Sequence, residues 1–380
     1  MTLTVLINAG PWLPVPPPHY GGIENVLATL IPQLRARGVE VVLCTVEEST
    51  IEVDDRRCAF PDGQFGRLAG PYAQVVGITA AHMATVLETV RERPDIDLVH
   101  DHLEVVGPSV LGALDGAAPP VLQTLHWDLQ KHPEFYGSFD GGGRVFFNGV
   151  SEAQLRTAPA NLRDQSLGAV HLGVDLAAHR FRQRKGEDFL VFGRVTPFKG
   201  QAVAARICKE LGVPLVMAGP VAGVPSPAEL FAALDDPASP LHGFGDVRHY
   251  LDAVQPFEDG EQIRWVGTVG GSDKDELVGR ARAVLMPISW EEPGATAAIE
   301  ALACGTPVIA TRRGALPEII EHGRNGFLAD DESEFARLML QAGEIDPAAC
   351  RQSVSERFSA GTMAEGYLRL YREVLARTGA

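Results

Sequence analysis

The stretch Trp290–Pro307, WEEPGATAAIEALACGTP, decides how the rest of the chain is read. Ala295–Ala303 has the composition of a short helix, with Gly305 placed to end it and Pro307 just beyond to stop it continuing. Two carboxylates, Glu291 and Glu292, stand ahead of it, followed by Pro293 and Gly294. Inside it, Glu300 is the one charge among alanine, isoleucine and leucine. So apolar a helix is expected to be buried on most sides, and Glu300 then needs a hydrogen-bonding partner. Thr296 and Glu300 are four apart and share a face. The helix start offers free N–H groups and a partial positive charge, which together make a site for an anion. Carboxylates beside an anion site suit a ligand that carries both hydroxyls and phosphate. A nucleotide sugar is such a ligand.

A second stretch supplies the opposite charge. Phe189–Arg194, FLVFGR, reads as a strand that ends in a cation; residues 195–198 form a proline-bearing loop, and Lys199-Gly200 opens a helix. Arg194 and Lys199 therefore belong to one loop at the carboxyl edge of a sheet. Two fixed cations and the N–H groups near Thr296 can stabilise the negative charge that builds on a departing phosphate.

Apolar runs elsewhere predict strands at Leu3–Ala9, Val39–Val46, Asp97–His102, Pro120–His126, Arg144–Val150, Pro214–Ala218, Ile263–Val269, Ala283–Ile288 and Val308–Ala310. Helical stretches lie between them, among them Gly22–Arg37, Gly77–Arg93 and a final helix over Thr362–Arg377. This alternation gives an α/β class with two Rossmann-like, doubly wound domains, 1–174 and 175–357. The boundary follows Gly173-Val174-Asp175, after which a basic, polar segment lacks a core pattern. Residues 47–75 read as an irregular strand-and-loop excursion, and Gly219–Glu261 as a proline-rich insertion with little core, placed as a flap. Gly21-Gly22 opens the first helix, where missing side chains let backbone approach a phosphate or sugar. No GxGxxG accompanies it, which disfavours a nicotinamide enzyme.

The net charge of −16 argues against nucleic-acid partners and against adsorption to anionic lipid. Residues 1–175 carry −10 of it, so the first domain is the more acidic. No run of eighteen apolar residues is present, so no integral membrane segment is expected. MTLTVLINAG reads as a first strand rather than a leader. The cysteines (44, 58, 208, 304 and 350) show no paired spacing, which favours a reducing, cytoplasmic setting over disulfides or zinc. His100-Asp101-His102 has a metal-like look, but only the two histidines share a strand face and no third ligand is evident. Asp95-Ile96-Asp97 spells a DxD yet falls in a loop ahead of a strand, and is set aside as a metal motif. His126 ends a buried strand at the carboxyl edge, where ligands bind in open α/β sheets. Trp12 and Trp127 are candidates to stack on sugar faces.

Taken together, Glu292-x7-Glu300 with Ala-Leu-Ala-Cys-Gly-Thr-Pro-Val, Gly193-Arg194 with Lys199-Gly200, the Gly21-Gly22 pair and His126 resemble the retaining GT-B glycosyltransferases of family four. That resemblance implies two domains facing across a cleft, with the final helix (358–380) returning to the first, acceptor-side domain. It implies that Glu292 contacts the donor sugar, Glu300 the ribose, and Arg194 and Lys199 the diphosphate. His126 would sit at the transfer point, with Gly21 and Gly22 reaching the donor phosphates from the first domain. Val266 and Gly267, in IRWVG, would receive the base, and Gly294, Ala295 and Thr296 would line the diphosphate and sugar. Many relatives have Glu-Pro-Phe-Gly where this chain has Glu292-Pro293-Gly294-Ala295, so the glycine comes one position early. The resemblance extends to similar Gly-Ala forms that occur among family members acting on small acceptors, including antibiotic sugars. The implied activity is metal-independent, retaining transfer from a nucleotide-diphosphate sugar, UDP first and GDP next, to a hydroxyl of a small or glycan acceptor, with no cofactor. Two alternatives stand beside it: a nucleotide-sugar 2-epimerase on the same fold, and a non-catalytic sugar-nucleotide-binding relative.

Overall fold

The computed structural model describes residues 2–18, 21–68 and 70–379. Positions 19 and 20, and 69 within the irregular 47–75 excursion, lie outside the described residues, as do the two terminal residues. The chain divides into two compact units: Met1–Val174 with Ser359–Ala380, and Asp175–Phe358.

The first unit is built on a seven-stranded sheet. Its strands are β1 (Leu3–Asn8), β2 (Val39–Thr45), β3 (Asp55–Cys58), β4 (Leu98–Asp101), β5 (Val121–Leu125), β6 (Val145–Gly149) and β7 (Ser166–Ala169). They run parallel in the order β3-β2-β1-β4-β5-β6-β7. The second unit holds β8 (Phe189–Phe192), β9 (Leu215–Ala218), β10 (Ile263–Trp265), β11 (Ala283–Met286), β12 (Val308–Thr311) and β13 (Gly326–Ala329). These too are parallel, ordered β10-β9-β8-β11-β12-β13. Helices covering both faces of a sheet bury its central strands completely, which is why β9 and β11 read as unbroken apolar runs and why the polar residues of β4 and β5 are buried too.

In each sheet the winding reverses once, between β1 and β4 and between β8 and β11. Chain leaving the carboxyl ends of those neighbours diverges to opposite faces and opens a crevice, the usual place for a ligand in this architecture. The loops after β1, β4, β8 and β11 are thereby singled out before any side chain is considered.

The final helix spans Ala360–Thr378, two residues longer at its start than its sequence pattern suggests. Ser359 caps it, and Ala360 N–H donates to the Val174 carbonyl at 2.9 Å. It buries Tyr367 and Tyr371 in the first unit, where the Tyr371 hydroxyl meets His100 Nδ1 at 2.7 Å.

Several expectations need correction. The second helix begins at Tyr72, earlier than Gly77. The strand expected over Ile263–Val269 stops at Trp265. The insertion after Gly219 does have a core: Leu230, Val247, Tyr250 and Val254 are buried, and Tyr250 packs on Trp265 with ring centroids 4.9 Å apart. It forms a packed layer, not a free flap. Strands β7 and β13 have no counterpart in the sequence reading, and β3 was legible only as part of an irregular excursion. All three are short strands at a sheet edge. Among the described residues no helix is long and apolar enough to cross a membrane.

Candidate active site

The crevice between β8 and β11 gathers most of the residues singled out by sequence. Strand β8 ends at Phe192, and Gly219, following β9, passes so close that a Cβ there would stand 2.0 Å from the Gly193 carbonyl oxygen. Only glycine fits, and the approach turns Arg194 out to solvent. The loop returns through Gly200, which adopts φ +84° and lies against Pro287, whose oxygen a Cβ would meet at 2.2 Å. Ser289 N–H donates to the Phe198 carbonyl at 3.0 Å. Backbone contacts thus lace the loop carrying Arg194 and Lys199 to the loop carrying Glu292.

The two adjacent carboxylates, equivalent by sequence, are separated by the structure. Glu291 turns away and accepts from Gly314 N–H at 2.6 Å and Arg313 at 3.3 Å. Glu292 faces the crevice: its Oε2 accepts from the Lys199 ammonium and from Trp290 Nε1 at 3.1 Å. The ammonium also lies 5.2 Å from the centre of the Trp290 ring. Arg194 forms no ion pair among the described residues. Its backbone carbonyl is held by the buried Gln201 side chain at 2.9 Å, leaving the guanidinium free for an anion.

The helix at this crevice is Thr296–Ala303, one residue shorter than expected at its start. Ala295 caps it in the left-handed region, φ +47° and ψ +43°. Gly294, the glycine placed one position early, is not the residue with positive φ. The left-handed turn falls on Ala295 itself, and alanine bears its strain, of order 1–2 kcal/mol. Pro293, Gly294 and Ala295 are buried, while Thr296 and Glu300 are half-buried on one side of the helix.

Glu300 has a partner that sequence reasoning missed. Lys274 reaches its Oε1 at 2.9 Å from the helix Gly271–Arg280. That helix follows Val266, which is exposed, and Gly267, whose carbonyl accepts from Gly219 N–H at 2.7 Å. A lysine in the first turn after IRWVG was the available signal; nothing in its spacing points to Glu300.

His126, Gly21 and Gly22 belong to the first unit. Gly22 begins the helix Gly22–Arg35, with Gly21 as its cap. Glu24 in its first turn is buried, which pushes its carboxyl up to about 7. His126 is half-buried just after β5, and its Nε2 bonds His102 Nδ1 at 2.8 Å. His100 lies tilted beside His102, ring centroids 4.1 Å apart, and bonds Thr124 at 2.8 Å. The third histidine absent from the sequence reading of His100-Asp101-His102 is therefore His126, contributed by the adjacent strand. Both His100 nitrogens are occupied by hydroxyls, so it is not a free metal ligand. Burial lowers His126 to about 3 and holds His100 and His102 well below the ordinary histidine range, so all three are neutral at pH 7. Asp101 on the opposite face is fully buried, and burial raises its carboxyl to about 7. Trp127 is committed to the Tyr136 hydroxyl at 2.6 Å, and Trp12 is half-buried.

The DxD serves the fold. Asp95 is gripped by Arg93, and Asp97 accepts from Thr4 N–H at 2.8 Å. Among the described residues one mixed set converges: ligand atoms of His179, Asp275 and Cys304 lie within 4.8 Å of one another. Lys185 and Arg351 cap the carbonyls of Cys304 and Ala303 there, and their positive charge opposes a divalent ion.

Two Rossmann-like parallel sheets on one chain are the elements of the GT-B glycosyltransferase fold. The chain belongs to glycosyltransferase family four. Residues 20–161 match the family described as Glycosyltransferase Family 4, and residues 186–344 match Glycosyl transferases group 1. It is similar to the D-inositol 3-phosphate glycosyltransferase of Mycolicibacterium smegmatis, 26% identical over 94% of this chain and 87% of that protein. The alpha-maltose-1-phosphate synthase of the same organism is 27% identical, covering 95% and 97%. Among solved structures, AviGT4, a glycosyltransferase involved in avilamycin A biosynthesis, superposes with a TM-score of 0.65 at 26% identity, covering 100% of this chain and 99% of that one. These relatives are named as transferases or synthases, and an epimerase is correspondingly disfavoured.

Proposed function

We propose that the protein transfers a sugar, with retention of anomeric configuration and without a metal, from a nucleoside-diphosphate sugar to a hydroxyl of a small acceptor. The observation that carries this reading is the convergence at one switch point of Arg194, Lys199, Glu292 and the start of the helix Thr296–Ala303. Arg194 and Lys199 hold the diphosphate, helped by the N–H groups of the first helical turn. Glu292 accepts from a hydroxyl of the donor sugar and Glu300 from the ribose, while Val266 and Gly267 flank the base. Gly294, Ala295 and Thr296 line the phosphates. A UDP-sugar is the first donor to try and a GDP-sugar the next.

No side chain is assigned as a nucleophile. The bond from the anomeric carbon to the phosphate oxygen breaks as the bond to the acceptor oxygen forms on the same face, and the acceptor proton passes to the departing phosphate. His126, neutral at working pH, acts as a hydrogen-bonding group at the transfer point and not as a cation. The small acceptor is supported by the likeness to enzymes named for inositol phosphate, maltose phosphate and avilamycin products.

The test is product formation from UDP- and GDP-sugars over a panel of small polyols, sugar phosphates and deoxysugar acceptors, with EDTA present. Nuclear magnetic resonance of the product should show the donor's anomeric configuration. An inverted product, or activity restored only by Mn²⁺, would contradict the proposal.

A further inference from the structure

Glu292 carries two bonds on one oxygen. Lys199 and the Trp290 indole N–H both reach Oε2, whereas Oε1 has no partner among the described residues. The carboxylate is largely buried, its side chain only 13% exposed, so the direction in which it points is set by those two donors. They differ in what happens when a donor substrate arrives. On the reading given above, the diphosphate offers Lys199 a stronger anionic partner than a single carboxylate, and the ammonium is drawn toward it. The indole N–H is neutral, sits on a ring with two torsions and has no phosphate to follow. It remains.

We infer that Trp290 is the positioning residue for donor-sugar recognition: it keeps Glu292 oriented after Lys199 has turned to the phosphates. With Oε2 fixed by the indole, Oε1 is presented to a hydroxyl of the sugar, and the half-buried ring forms a wall beside it. Trp290 thereby acts on the sugar half of the donor and leaves the nucleotide half alone. The inference rests on the proposed function of Glu292 and Lys199. Its distinguishing feature is chemical. A tryptophan retained for packing alone would do the same work with phenylalanine in its place.

Trp290→Phe keeps an aromatic plane and removes the donor. Losing a hydrogen bond to a charged group should lower kcat/KM for the nucleotide sugar by about ten- to hundredfold. Affinity for the bare nucleoside diphosphate, titrated calorimetrically with UDP, GDP and ADP, should change by less than about twofold. Trp290→His, which restores a ring N–H, should recover part of the loss. In a Glu292→Gln background, Trp290→Phe should cost almost nothing further, because the group it orients has been altered. An equal loss in both backgrounds, or a fall in nucleoside-diphosphate affinity matching the fall in kcat/KM, would overturn the inference. Should Trp290→Phe fail to fold, the histidine variant alone decides: nucleotide-sugar kinetics degraded no more than UDP affinity would contradict the assignment. If the native protein binds none of the three nucleoside diphosphates, the functional reading itself fails, whatever Trp290 does.

Discussion

The two switch points of this molecule are built on the same strand order and furnished in opposite ways. Beside β8 and β11, the polar groups are charged, partly open to water and paired as lysine with glutamate: Lys199 with Glu292, Lys274 with Glu300. Beside β1 and β4, they are mostly buried, and burial favours their uncharged forms. His82 bonds Asn8, Asn8 bonds Asp101, and His100, His102 and His126 form a row of neighbouring rings tied to Tyr371. Charge that stays near water costs little to ionise and is free to meet a charged substrate. Polar groups sealed in a core must remain neutral and hydrogen-bonded, and so act as fixed scaffolding. On the proposed function, the ionic work of binding a diphosphate falls to the second unit, while the buried polar groups of the first act as fixed scaffolding.

The largest expected effect breaks the charged side. Lys199→Ala should reduce turnover by roughly 10²–10³, the scale of losing one donor to developing charge. Near-normal turnover would remove Lys199 from its assigned role.

Next, the sealed side should respond to pH with two opposite signs. Burial lowers His82 to about 4, below its unfolded value. The stability this neutral histidine confers is full above about pH 6.5 and is lost as pH falls toward 4. Asp101, raised to about 7, behaves in reverse: the folded state holds its proton more tightly, so stability rises as pH falls from 7 toward 4. Chemical denaturation across that range should therefore show His82→Phe flattening the loss in acid. Asp101→Asn should gain on the native protein by about 2–4 kcal/mol at pH 8, and most of that advantage should vanish near pH 4. Parallel pH profiles for native and variant would mean these groups are not sealed as described.

A smaller effect tests whether the two lysine–glutamate pairs do different jobs. Lys274→Met should weaken nucleoside-diphosphate binding by about tenfold through Glu300, with sugar preference unchanged. A shift in sugar preference instead would place Glu300 on the wrong half of the donor.

The smallest concerns the turn at Ala295. Ala295→Gly relieves a left-handed alanine but adds freedom to the unfolded chain, so a net gain of about 0.5–1 kcal/mol is expected. A loss of stability would show that the alanine methyl contributes packing worth more than the strain.

Much of the second unit was legible from sequence because its chemistry comes in short local blocks. A strand ending in Gly193-Arg194, a loop ending in Lys199-Gly200, and Glu292 eight residues before Glu300 each name a place in a βα crossover. The partners Lys274 and Trp290 were not legible as partners. Lys274 meets Glu300 only because two helices are brought side by side, and Trp290 could be assigned only once Glu291 was seen to turn away. The sealed row of the first unit was harder still. His100, His102 and His126 come from two strands and Tyr371 from the last helix, a separation that no local pattern records. The strands missed were edge strands. Asp55–Cys58, legible only as part of an irregular excursion, is likewise a polar DRRC segment whose order comes from pairing with β2 and not from a buried face of its own.

The measurement that bears most directly on the account is thermal unfolding of the native protein and of Glu300→Ala against UDP, GDP and ADP. A ligand at about a hundredfold its dissociation constant adds roughly 2.7 kcal/mol of stability. The account predicts that one of the three raises the melting temperature of the native protein and leaves Glu300→Ala unmoved at the same concentration. Folded native protein that responds to none of them, or a shift that survives intact in Glu300→Ala, would contradict it.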